Sequence, residues 1–78
     1  MPSPYWSAAE VSERLISRLK EIRSEAGLTQ AQLADMVSVS RKTINTVENG
    51  VFVPSTILSL KLAAALGTSV EALFQLPE

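Results

Sequence analysis

The sequence predicts an all-α domain, five short helices packed in one compact layer around a small core. Three observations carry this. Apolar residues recur at spacings of three and four from Ala8 to Phe74, the period of a half-buried helix. Ser or Thr precedes each apolar run, and a turn or a glycine follows the first four. No stretch alternates at period two, so no strand is expected in residues 8–66.

The elements follow in order. Met1 to Ser7 holds two prolines and reads as a flexible lead-in; the domain proper is placed at residues 8–76. Ser7 is positioned to cap a first helix carrying Ala8, Val11, Leu15, Leu19, Ile22 and Ala26, which Gly27 stops. Thr29 with Gln32 three residues on forms a capping-box pattern for the second helix, whose inner face is Leu33, Ala34 and Val37. Ser38-Val39 turns the chain, and Ser40 caps a third helix that buries Ile44 and Val47 and ends at Asn49-Gly50. "VFVP" is a connector. Ser55 caps a fourth helix, read as facing inward through Ile57, Leu60, Ala63 and Leu66 and stopping at Gly67. Thr68 or Ser69 opens a short fifth helix with Val70, Leu73 and Phe74.

Helices two and three carry the functional signal. With Gln30 as position one, apolar residues fall at positions four, eight, ten, fifteen and eighteen: Leu33, Val37, Val39, Ile44 and Val47. Ala34 is the small residue needed where two helices cross at a steep angle through a three- to four-residue turn. This arrangement frees the opposite face of the third helix, which is wholly polar: Arg41, Lys42, Asn45, Thr46 and Asn49. A polar helix face with two cations at its N-terminal end suits the major groove of duplex DNA.

The charge balance tests that reading. The 78 residues carry a formal net charge of −1. Six of the seven cations nevertheless lie between Arg14 and Lys42, and a phosphate backbone responds to the local field rather than to the sum. With neither Cys nor His, disulfides, zinc fingers and histidine catalysis are excluded, and no metal or cofactor is expected. The N-terminus lacks the pattern of a signal peptide and no run is apolar enough to span a bilayer, so a cytoplasmic protein without membrane attachment is expected.

"GLTQAQLADMVSVSRKTINTVENG", continued by "VPSTILSLKLAAALGTSVEALF", resembles the Cro/lambda-repressor type of helix-turn-helix domain over about Leu15 to Phe74. The resemblance implies a sequence-specific DNA-binding transcriptional regulator, a repressor, acting as a homodimer on a pseudo-palindromic operator. It places Arg41, Lys42 and Thr46 at base edges, with Asn45 as a further contact. It places Gln30 and Asn49, with Thr29 and Ser40 beside them, at phosphates, and it makes Arg23 and Glu48 an ion pair tying helix one to helix three. Three positions depart from the family pattern. Ser38 stands where a glycine is usual in a turn that takes positive φ. Val51-Phe52-Val53 replaces a polar, basic loop. Residues 1–13 contain no basic arm.

The fourth helix has more apolar residues than one buried face needs. Leu58, Leu62, Val70, Phe74 and Leu76 are assigned to a two-fold interface, with core closure as the other reading of Val70 and Phe74; Tyr5 and Trp6 fit packing on either subunit. No small-molecule pocket is evident in the chain, so an effector would require further sequence. Two rival functions remain. One is a protein-interaction module of the same fold, such as an antitoxin or an adaptor. The other is an enzyme, for which no nucleophile stands beside a base.

Overall fold

The computed structural model describes residues 15–77. Its elements are β1 (Ile16–Ser17), α1 (Leu19–Glu25), α2 (Gln30–Met36), α3 (Arg41–Glu48), α4 (Thr56–Leu66), α5 (Val70–Leu73) and β2 (Phe74–Gln75). The five-helix class predicted from sequence is the observed one.

Local chemistry sets each boundary. Thr29 caps α2 through a full capping box: Gln32 N–H donates to its hydroxyl at 3.0 Å, while its own N–H donates to Gln32 Oε1 at 2.8 Å. Ser40, Ser55 and Ser69 each accept from the backbone N–H three residues on, satisfying donors that a helix start leaves free. Gly67 ends α4 in the left-handed conformation, φ 66°. The core joins Leu19 of α1, Leu33, Ala34 and Val37 around α2, Ile44 and Val47 of α3, and Leu58, Leu62 and Ala63 of α4 to Leu73 and Phe74. The five apolar positions of the predicted helix-turn-helix all pack there, Val39 partly buried.

Three expectations are corrected. First, the described residues do contain a strand within 8–66. Ile16 and Ser17 pair antiparallel with Gln75 and Phe74, and Arg18 N–H donates to the Leu73 carbonyl at 2.7 Å. The expected first helix therefore begins only at Leu19; its proposed start at Ser7 and Ala8, and the lead-in, lie outside the described residues. Ser17 Oγ accepts from Leu19 N–H at 3.4 Å, a local side-chain bond that competes with continuing a helix through it. The apolar period hid this break because Leu15 and Leu19 both still reach the core.

Second, Phe74 is in β2, not in the fifth helix, and is 8% exposed. Third, the N-terminal half of α4 buries a different face from the one expected, while Ala63 and Leu66 pack inward as expected. Leu58 and Leu62 are 6% and 0% exposed, whereas Ile57 and Leu60 are 68% and 58% exposed. Leu58, Leu62 and Phe74 thus belong to the protomer's own core and are not free for a dimer interface. Val70 is half-buried against that core, and Leu76 is exposed. With apolar residues on every side of α4, sequence alone could be read in either register.

Ser38 adopts φ 61° in the turn between α2 and α3, the only non-glycine residue with positive φ among those described. An L-residue pays about 1–2 kcal/mol there, while glycine loses about 0.5–1 kcal/mol more backbone entropy on folding. Ser38→Gly is therefore expected to stabilise the domain by about 0.5–1 kcal/mol, raising the thermal midpoint by a few degrees. A lower midpoint would mean that the serine makes a compensating interaction.

Candidate nucleic-acid interface

The outer face of α3 is built by burying its inner one. Ile44 and Val47 are held in the core, which turns Arg41, Lys42, Asn45 and Asn49 to the surface and leaves Thr46 half-buried. The Thr46 hydroxyl donates to the Thr43 carbonyl at 2.9 Å. What Thr46 retains for a partner is chiefly its methyl group, the part suited to a thymine methyl. Lys42 has no ion-pair partner among the described residues.

Gln30, at the start of α2, organises this face. Its amide nitrogen donates to Asn45 Oδ1 at 3.2 Å and to Glu48 Oε1 at 3.0 Å, and its amide oxygen accepts from Arg41 Nη1 at 3.2 Å. The partners fix the amide orientation, since nitrogen meets two acceptors and oxygen meets a donor. Arg41 and Asn45 are thus held to α2.

The chain of bonds continues inward. Arg23 in α1 donates through Nε to Glu48 Oε2 and through Nη2 to Glu48 Oε1 at 3.2 Å, a two-point contact that suits guanidinium and carboxylate. The side chains are 12% and 1% exposed. Arg23 Nη1 also donates to the Leu28 carbonyl at 2.7 Å. The hydrogen bond to Glu48 holds the guanidinium above its ordinary pKa; burial opposes this, and the carboxylate's charge adds to it. The expected ion pair is formed, and its 1%-exposed carboxylate also anchors Gln30.

The edges of the face carry the other predicted residues. Thr29 accepts in the capping box and keeps its hydroxyl proton as a donor. The Ser40 hydroxyl accepts from Thr43 N–H at 3.1 Å and shares a 3.0 Å bond with the Thr43 hydroxyl. Asn49 is exposed at the C-terminal end of α3. Arg41, Lys42, Asn45, Thr46, Gln30 and Asn49 are therefore brought to one surface, with Thr29 and Ser40 at the two helix starts beside it. Sequence reasoning missed the Leu28 carbonyl and the direct bond from Gln30 to Arg41. The signal for the first was available, because a buried guanidinium has five N–H donors and one carboxylate cannot take them all.

A family model described as helix-turn-helix matches residues 19–73. The chain belongs to the Cro/C1-type helix-turn-helix family. It is 46% identical over 61 residues to an HTH-type transcriptional regulator of Methanothermobacter thermautotrophicus, covering 77% of this chain and 88% of that one. It is 37% identical over 62 residues to the HTH-type transcriptional regulator YgzD of Bacillus subtilis, covering 80% and 94%. Among solved structures, it is similar to the restriction-modification controller protein C.AhdI of Aeromonas hydrophila, with TM-score 0.66, 37% identity, and coverage of 69% of this chain and 82% of that one. This member of the family is a DNA-binding transcriptional regulator. No helix among the described residues is long and apolar enough to cross a membrane.

Proposed function

We propose that the protein is a cytoplasmic repressor that binds a pseudo-palindromic operator as a homodimer, laying α3 in the major groove of each half-site. The observation that carries this reading is the outer face of α3. It is polar throughout, has its two cations in the first turn, and is tied to α2 by Gln30. Arg41, Lys42 and Asn45 meet base edges, and the Thr46 methyl meets a thymine. Gln30, Asn49, Thr29 and Ser40 hold phosphates. The domain runs over residues 8–76, with residues 1–7 as its lead-in. Neither a metal, a cofactor nor a catalytic step is part of this reading.

Selection of bound duplexes from a random library tests it. The expected result is a site with two-fold symmetry whose half-sites lie about one helical turn, roughly 34 Å, apart. Affinity should fall steeply with salt, as phosphate contacts require. Failure to enrich any duplex, or binding indifferent to salt, would favour the interaction-module reading of the same fold.

A further inference from the structure

The Gln30 amide has no hydrogen to spare. Its nitrogen carries two, and both are engaged, one with Asn45 Oδ1 at 3.2 Å and one with Glu48 Oε1 at 3.0 Å. Its oxygen accepts from Arg41 Nη1 at 3.2 Å. These partners differ in freedom. The Asn45 amide is exposed and can turn over to present either end. The Glu48 carboxylate only accepts, and it cannot swing away: its side chain is 1% exposed and Arg23 holds both oxygens. Turned the other way, Gln30 would set its oxygen against that carboxylate and its N–H groups against the Arg41 guanidinium.

We propose that Glu48 is a positioning residue for sequence reading: through the Gln30 amide, its carboxylate fixes the direction in which Arg41 is offered to a base. The inference rests on the reading that α3 enters the major groove. The chain of bonds runs outward from the buried pair. Glu48 holds the Gln30 nitrogen inward, so the Gln30 oxygen faces Arg41 and takes one of its five N–H groups. Four remain, and a guanine edge needs two. A guanidinium held this way gives up less side-chain freedom on meeting a base than one that swings freely.

The bond to Asn45 has a different part. It lies in the open, whereas the bond to Glu48 is partly buried. A phosphate that meets Gln30 takes the hydrogen given to Asn45 and leaves the one given to Glu48, so the orientation of the amide survives the contact. Arg23 and Glu48 both hold the fold, but among the described residues only the Glu48 end of the pair reaches Gln30. Its structural and positioning roles are therefore separable.

The variant Arg23→Met, Glu48→Leu separates them, because it removes the acceptor without stranding a charge. Its binding to the selected and a scrambled duplex is measured beside Arg41→Ala and the triple variant, with base preference read at every position of the half-site. Affinity for the scrambled duplex should stay within about threefold of wild type, since phosphate contacts are kept. Affinity for the selected site should fall roughly three- to tenfold, part of what a whole bidentate contact to a base is worth. The loss should appear at the base pair that Arg41→Ala relaxes. The triple variant should lose no more there than Arg41→Ala alone, because both changes act through one side chain. A packing defect would instead weaken every position alike. Wild-type preference at that base pair in the double variant overturns the proposal and leaves Glu48 as scaffold. If Arg41→Ala by itself relaxes no base pair, the groove reading falls and this inference with it. Should the double variant not fold, nitrogen relaxation of the wild-type side-chain amides decides. The Gln30 amide should be ordered like rigid backbone, with an order parameter near about 0.85. A Gln30 amide as mobile as that of exposed Gln75 overturns the proposal.

Discussion

Replacing Glu48 by alanine is expected to cost the fold about 3–5 kcal/mol, the loss typical of breaking a buried ion pair by removing one partner. The Glu48 side chain is 1% exposed, and it takes two bonds from Arg23 and one from Gln30. Without it the guanidinium keeps, among the described residues, only the Leu28 carbonyl, in a site 12% open to water. An arginine cannot escape by losing its proton. The Arg23 pKa is already raised, so its contribution is complete at every pH below the ordinary guanidinium value and is lost only above it. For a domain this small, the loss is comparable to a large part of total stability and corresponds to at least about 12 °C in the thermal midpoint. Thermal and urea melts of Glu48→Ala measure it. The double variant Arg23→Met, Glu48→Leu should recover most of the loss, because apolar residues of similar volume do not leave a charge stranded. A loss below about 1 kcal/mol for Glu48→Ala would show the pair behaving as a surface contact.

How far the sequence could be read depended on whether a residue's neighbours were local. The caps at Thr29, Ser40 and Ser55 and the turn at Ser38 are decided within a few residues, and all were legible. The polar outer face of α3 was legible because the helix is amphipathic, so its period has one solution. In α4, "TILSLKLAAAL", apolar residues occupy every side, so the period has two solutions. Only the packing of Leu58 and Leu62 against the other helices chooses between them. The β1–β2 pair was hidden for a different reason. Its partners are more than fifty residues apart in the chain, and two residues are too short a strand to show alternation. The link from Gln30 to Arg41 is likewise a tertiary contact between side chains on two helices, visible only once the crossing of α2 and α3 is set.

Arg41→Ala is expected to cost about 1–3 kcal/mol at the selected operator, a loss of roughly five- to 150-fold, and to relax preference at one base pair in each half-site. Arg41 and Lys42 occupy the first turn of α3, where cations oppose the positive end of the helix dipole. Stability alone gives no reason for two of them there. Guanine edges and phosphates do, since both are acceptors. In the free protein Arg41 is exposed and, among the described residues, its side chain is bonded only to Gln30, so Arg41→Ala should leave the thermal midpoint near wild type or slightly above it. Asn49→Ala should weaken all duplexes evenly, because a phosphate carries no sequence information. Gln30→Ala should do both. It removes the proposed phosphate donor and also frees Arg41 and Asn45 from α2, so it should lower overall affinity and blur preference at the base proposed for Arg41. Binding of each variant to the selected and a scrambled duplex, at two salt concentrations, separates these effects. Equal losses on both duplexes for Arg41→Ala would make Arg41 a phosphate anchor. No loss on either would mean that α3 does not enter the groove by its N-terminal end.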